Sequence, residues 1–246
     1  SWCPAPQGIW RASPGAPAYA QPSTMGVGEW REAMGDGAPD AASFGGASGG
    51  QKPEPPESAA MTFYELGAPL KVKGEGEPHM DHLGLAVHGY FAAVREAMSV
   101  KERRALARRL LEAWGVSGAL APKDLVEAGE RLTGWVQKEY PEAVWRREVP
   151  LRLRLPTGTV VRGEADVVIE LPDGYVLIDH KTFKDQDVER HLRRFETQLE
   201  IYEQALRRAS RDSTSSTTTP SSASTPSINI TTYLHLPLHG KLARKG

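Results

Sequence analysis

Two short apolar runs, each with a carboxylate at one end, constrain this chain more than any other feature. Asp166 is followed by Val167-Val168-Ile169, and Asp179 is preceded by Val176-Leu177-Ile178. Leu171-Pro172-Asp173-Gly174 separates them, and an Asp-Gly pair between two β-rich runs signals a hairpin. A turn centred between Pro172 and Asp173 sets Asp166 opposite Asp179. A turn centred between Asp173 and Gly174 sets Asp166 opposite Lys181. Asp179 and Lys181 are two apart and share one face of a strand. Either register therefore gathers Asp166, Asp179 and Lys181.

The apolar runs suggest strands buried on both faces. Two carboxylates about 4 Å apart at an effective dielectric near 20 repel by roughly 4 kcal/mol. Lys181 offsets part of that repulsion, and a bound divalent cation offsets the rest. Ligation by oxygen favours a hard ion, Mg²⁺ or Mn²⁺, over zinc. The competing reading is a structural ion pair, which an Asp-x-Lys triplet alone favours. An Asp, a hairpin turn and Asp-His-Lys, all set within apolar strands, favour a site.

Around this hairpin the chain divides by composition. Residues 1 to about 60 are rich in Gly, Pro, Ala and Ser and close on Pro53-Glu54-Pro55-Pro56. Such a tract buries too little apolar surface to offset chain entropy, and it reads as a disordered linker. A short isolated helix around Gly28–Met34 is its one structural candidate. Gly46-Ala47-Ser48-Gly49-Gly50 fits G-x-S-x-G, but it lacks the strand and helix which that nucleophile motif needs. The domain proper spans 61–246. Leu83, Val87, Tyr90, Phe91, Val94 and Met98 recur at helical spacing. Lys101–Trp114 and Pro122–Tyr140 read as further helices, with the basic stretch Lys101–Arg109 taken as a solvated face. Trp145–Leu155 alternates, with Val149, Leu151, Leu153 and Leu155 on one face and Arg152 and Arg154 on the other. Asp187–Ser210 reads as one long helix. A Ser/Thr/Pro tract follows as an insertion over 211–227, then a last strand, Ile228–Leu238. The basic tail Lys241–Lys245 is expected to be a solvated end.

Charge excludes some classes. Over 246 residues, 30 Lys+Arg stand against 31 Asp+Glu, so any attraction for nucleic acid is local. A single cysteine, Cys3, rules out a disulfide framework, an iron–sulfur cluster and a cysteine-built zinc site. That usage suits a reducing, cytoplasmic setting. No apolar run approaches the roughly 20 residues that span a bilayer. The first residue is Ser, and the chain is read as a piece of a longer protein. It holds no G-x-x-x-x-G-K-[ST] loop and is not itself an ATP motor.

Four motifs together resemble the RecB-like branch of the PD-(D/E)xK nucleases. They are Leu83-Gly84-Leu85-Ala86-Val87-His88, Gly163-Glu164-Ala165-Asp166, Ile178-Asp179-His180-Lys181-Thr182 and Gln198-Leu199-Glu200-Ile201-Tyr202. Each is weak alone; in order, over residues 79 to 240, they form a specific set. The resemblance implies an α/β fold of the restriction-endonuclease-like kind, a mixed central sheet flanked by helices. It implies that His88, Asp166 and Asp179 are ligands of Mg²⁺ or Mn²⁺, and that Lys181 acts on the attacking water. It implies that Gln198 and Tyr202 lie near the site and help to hold DNA. Four residues apart on a helix, those two share a face. Tyr202 also fits the apolar stripe as core. Glu148 is a secondary candidate whose side of the strand is open. His79 and His82 match no motif and read as surface residues.

By the same resemblance, the domain is expected to serve DNA repair and recombination as the exonuclease module of a UvrD-type helicase–nuclease. The helicase would lie upstream in the same polypeptide, with a second helicase–nuclease subunit as a further partner. Two alternatives stand beside it: a non-catalytic DNA- or partner-binding module of the same fold, and a metal-dependent hydrolase on an unrelated fold.

Overall fold

A computed structural model describes residues 24–26, 61–73, 79–155, 158–215 and 228–245. The elements, in order, are β1 (Thr24–Gly26), β2 (Met61–Glu65), α1 (Met80–Ala93), α2 (Val100–Ala113), α3 (Pro122–Glu139), β3 (Val144–Arg154), β4 (Val160–Leu171), β5 (Gly174–His180), α4 (Val188–Leu192), a 3₁₀ turn (Arg193–Phe195), α5 (Glu196–Ser215), β6 (Asn229–Leu236) and β7 (Lys241–Lys245).

The strands form one seven-stranded mixed sheet in the order β1-β4-β5-β6-β7-β2, with β3 paired to β4. β3 runs antiparallel along the length of β4. The other edge of β4 takes β1 in parallel at Val160–Arg162 and β5 antiparallel at Val167–Leu171. β5 and β6 are parallel, so the chain must cross over between them, and α4 and α5 make that crossing.

Each face of the sheet has its own core. On one side α1, α2 and α3 bury Leu83, Tyr90, Leu111 and Leu125 against Val167, Ile169, Val176 and Ile178. On the other side α5 buries Leu199, Tyr202 and Leu206 against Leu151, Leu153, Val168 and Leu177. This is the α/β, restriction-endonuclease-like architecture that the motifs implied. Ser99 opens α2 with a capping box, accepting from the Glu102 backbone while the Glu102 carboxylate accepts from the Ser99 N–H. The basic residues Lys101, Arg104, Arg108 and Arg109 of α2 are solvated, as are His79 and His82.

Two expectations are corrected, and one short strand is added. Lys241–Lys245 is a strand, not a solvated tail: β7 lies between β6 and β2 and buries Leu242 and Ala243. Its backbone is satisfied on both edges, which outweighs three cationic side chains in five residues. The helix expected over Asp187–Ser210 breaks at Arg193–Phe195, where 3₁₀ geometry redirects the chain, and its second part runs on to Ser215 into the Ser/Thr tract. Within the N-terminal tract, Thr24–Gly26 pairs with β4. The stretch around Gly28–Met34, the Gly46–Gly50 motif and most of the Ser/Thr tract lie outside the described residues.

Candidate active site

The hairpin takes the first of its two registers. Pro172 and Asp173 form the turn, Leu171 pairs with Gly174, and the ladder runs to Val167 opposite Ile178. Asp166 and Asp179 would be the next pair, and there the two strands part. The Asp166 carboxylate instead accepts the His180 backbone N–H at 2.6 Å, a side-chain bond in place of a ladder bond. β5 continues alongside β6, and the Lys181 N–H donates to the His235 carbonyl at 2.8 Å.

β3 and β4 change faces at this point. Val149, Leu151, Leu153, Val161 and Ala165 face α5, whereas Trp145, Val167 and Ile169 face the α1–α3 layer. The switch falls at Glu148 and Asp166, which lie opposite each other between the pairs Arg147–Val167 and Val149–Ala165. Glu148 has φ 52°, a left-handed conformation that costs a non-glycine residue roughly 1–3 kcal/mol. The switch leaves a gap at the end of the β4–β5 ladder, and side chains from both layers meet there.

From the α1 side, His88 Nδ1 lies 3.5 Å from Asp166 Oδ2. Burial pulls the His88 imidazole down, and the charge and hydrogen bond of Asp166 more than reverse this, leaving it above its ordinary value. Burial pushes Asp166 up, but His88 first, then His180 and Lys181, hold it below the usual carboxylate range.

From the α5 side, Lys181 Nζ lies 2.6 Å from Asp179 Oδ2 and donates to Gln198 Oε1 at 3.1 Å. Gln198 Nε2 donates to Asp179 Oδ1 at 3.3 Å and to the Tyr202 hydroxyl at 3.0 Å. One amide thus bridges a cation and an anion, a role only a group with both donor and acceptor can fill. The Lys181 ammonium also sits 4.4 Å from the Phe195 ring centroid. Tyr202 is buried and its ring comes so close to Gly163 that any Cβ there would collide with it. Glycine at 163 therefore makes the notch that seats Tyr202 beneath Gln198. Removing the amide in Gln198→Leu is expected to cut any activity of this site by about 10²-fold, since Lys181 then loses the acceptor that orients it. Steady-state rates beside an unchanged unfolding midpoint check this.

Asp179 is almost fully buried, and its Oδ2 has no hydrogen bond of good geometry. Burial first, then the neighbouring Asp166, raise its pKa, although Lys181 pulls it down. Glu148 is pushed up to about 7 by burial, by a hydrogen bond with Glu164 and by Asp166. Burial first, and neighbouring acids after it, thus disfavour the ionised forms of Asp179 and Glu148 even with Lys181 beside them. Among the described residues, no three His, Cys, Asp or Glu side chains stand close enough to cage an ion. The donor set suits a hard cation that binds one or two carboxylates and keeps waters and substrate oxygens for the rest, as Mg²⁺ does.

All four expected motifs meet at this one place. His88, Asp166, Asp179, Lys181, Gln198 and Tyr202 are brought together, and Glu148 faces Asp166 from the edge strand. Three features escaped the sequence: the His180 N–H on Asp166, Phe195 against Lys181, and Glu164 beside Glu148. Phe195 gave only the signal of one more apolar residue in a helical stripe.

The PD-(D/E)XK nuclease superfamily model matches residues 61–229. This chain therefore belongs to the PD-(D/E)XK nuclease superfamily. The matched span holds every site residue; β6 and β7, which complete the sheet, lie almost wholly beyond it. A comparison with curated proteins returns no significant match.

Proposed function

We propose that this chain is a metal-dependent deoxyribonuclease that hydrolyses phosphodiester bonds, acting as an exonuclease rather than an endonuclease. The carrying observation is the group Asp166, Asp179 and Lys181 at the parting of β4 and β5, with buried acid charge that Lys181 only partly offsets. Asp166 and Asp179 would hold Mg²⁺ or Mn²⁺, and His88, the further ligand by resemblance, would give up its contact with Asp166 to reach the ion. Such an ion polarises the scissile phosphate and lowers the pKa of a bound water.

The protein's own groups do the rest. Lys181 Nζ, steered by Asp179, Gln198 and Phe195, orients the attacking water and offsets charge that develops on the phosphate. Gln198 and Tyr202 support the site from α5, and Tyr202, being buried, does so through Gln198. His88 and the His180 N–H fix the Asp166 carboxylate so that its remaining lone pairs face the gap. Glu148 stands as the secondary acid at the rim. No base-reading motif is present, so sequence preference is expected to be slight and affinity to fall steeply with salt.

The resemblance to the RecB-like branch supports a wider setting. The domain would be the nuclease module of a UvrD-type helicase–nuclease in the cytoplasm, working in double-strand break repair and recombination, with a second such subunit as partner. Among the described residues no helix is long and apolar enough to cross a membrane.

The test is degradation of linear single- and double-stranded DNA in Mg²⁺ or Mn²⁺, with and without chelator. Cleavage that appears with the metal and stops with the chelator is expected. Intact DNA in both arms, despite tight DNA binding, would contradict the reading and favour a binding module.

A further inference from the structure

Beyond the face switch at Glu148 and Asp166, the even-numbered residues of β3 and β4 point away from α5. Arg152 lies directly opposite Arg162 in the antiparallel register, and Arg154 follows Arg152 on the same face. Arg152 and Arg154 are exposed, and Arg162 is half-exposed with a buried Nε that has no acceptor. Among the described residues none of the three forms an ion pair. Glu164, the next residue on this face, is engaged with Glu148.

Like charges directly opposite on adjacent strands destabilise a sheet. The fold therefore holds a repulsion at Arg152, Arg154 and Arg162 that nothing within the described protein relieves. Guanidinium groups are suited to phosphate, which they grip through paired N–H donors. The position of this cluster matters as well. Arg162 lies on the same strand and face as Asp166, four residues away, or about 13 Å at 3.3 Å per residue. That distance is longer than one step between neighbouring phosphates of a strand, so the arginines would meet phosphates beyond the scissile one.

We propose that Arg152, Arg154 and Arg162 form a platform for the DNA backbone, gripping phosphates farther along the strand than the scissile one. The proposal rests on the nuclease reading of the adjoining site and adds the path of the strand. The platform reads charge and not bases, and it is distinct from the metal-ligating residues.

The test uses the full chain and measures binding of a fluorescent 20-nucleotide DNA across a salt series in chelator, then cleavage of the same DNA in Mg²⁺. The variants are Arg152→Gln, Arg162→Gln and the double variant. For each arginine lost, the slope of log affinity against log salt is expected to fall by about one. The unfolding midpoint is expected to hold or rise, because the repulsion is relieved. An oligonucleotide that ends at the cut, with no nucleotides on the platform's side, is expected to bind wild type and double variant alike. Unchanged affinity and slope in the double variant, while wild type binds DNA, would overturn the platform whether or not DNA is cut. Wild type that binds with the expected arginine dependence but never cleaves would keep the platform and sink the nuclease reading. Wild type that fails to bind DNA would overturn both.

Discussion

Lys181→Met is expected to lower DNA cleavage by about 10³-fold or more while leaving a folded protein. Methionine keeps much of the length and apolar volume of the side chain and removes the ammonium that sits over Phe195. Losing one preorganised cation at a developing phosphate charge costs about 10²–10³ in rate, and losing general acid–base assistance adds to that. Stability is expected to fall too. Asp179 is 2% exposed and has its ammonium partner at 2.6 Å, so the variant leaves a buried carboxylate facing only Gln198. Breaking a buried pair in this way costs about 3 kcal/mol. Low activity must therefore be measured well below the variant's unfolding midpoint. Chemical denaturation beside single-turnover cleavage separates the two effects, and cleavage within tenfold of wild type would remove Lys181 from the reaction.

The largest effect on folding is expected at Gly174→Ala. A Cβ there would run into the Asn229 carbonyl oxygen, with the Asn229 Cα and carbonyl carbon close behind. These are backbone atoms of the first β5–β6 pair, so no side chain can swing aside. The strands must separate at the end where their parallel register begins. Such overpacking costs about 3 kcal/mol, which for a domain of this size lowers the midpoint by about 10 °C. The loss bears on function because β5 carries Asp179 and leads into Lys181. A urea titration that shows a loss under about 1 kcal/mol would mean that β6 approaches less closely than described.

The hairpin and its chemistry were readable because local signals agreed. Turn residues, two apolar runs and the spacing of Asp166, Asp179 and Lys181 all pointed to one arrangement, and only the register stayed open. Gly174 helps settle it, because β6 must pass close to that Cα and the turn then falls on Pro172-Asp173. The side of Glu148 could not be read, since a face switch depends on two strands twisting together and leaves no mark in an alternating pattern. The strand at Lys241–Lys245 was hidden for a similar reason. Leu242 and Ala243 are too few to signal a strand, and the neighbours that satisfy β7 come from residues 61–65 and 233–236, far apart in the chain. The break at Arg193–Phe195 keeps the apolar spacing of the flanking turns, so periodicity passed straight through it.

In the proposed function everything turns on Asp166 and Asp179 holding a metal ion beside Lys181. The most direct measurement is Mn²⁺ binding by calorimetry on wild type and Asp179→Ala, with cleavage of linear DNA followed on the same samples. Wild type is expected to bind Mn²⁺ and cut, and the variant, still folded, to lose at least about tenfold in affinity and all detectable cutting. A folded Asp179→Ala protein that binds Mn²⁺ and degrades DNA like wild type would contradict the proposed function.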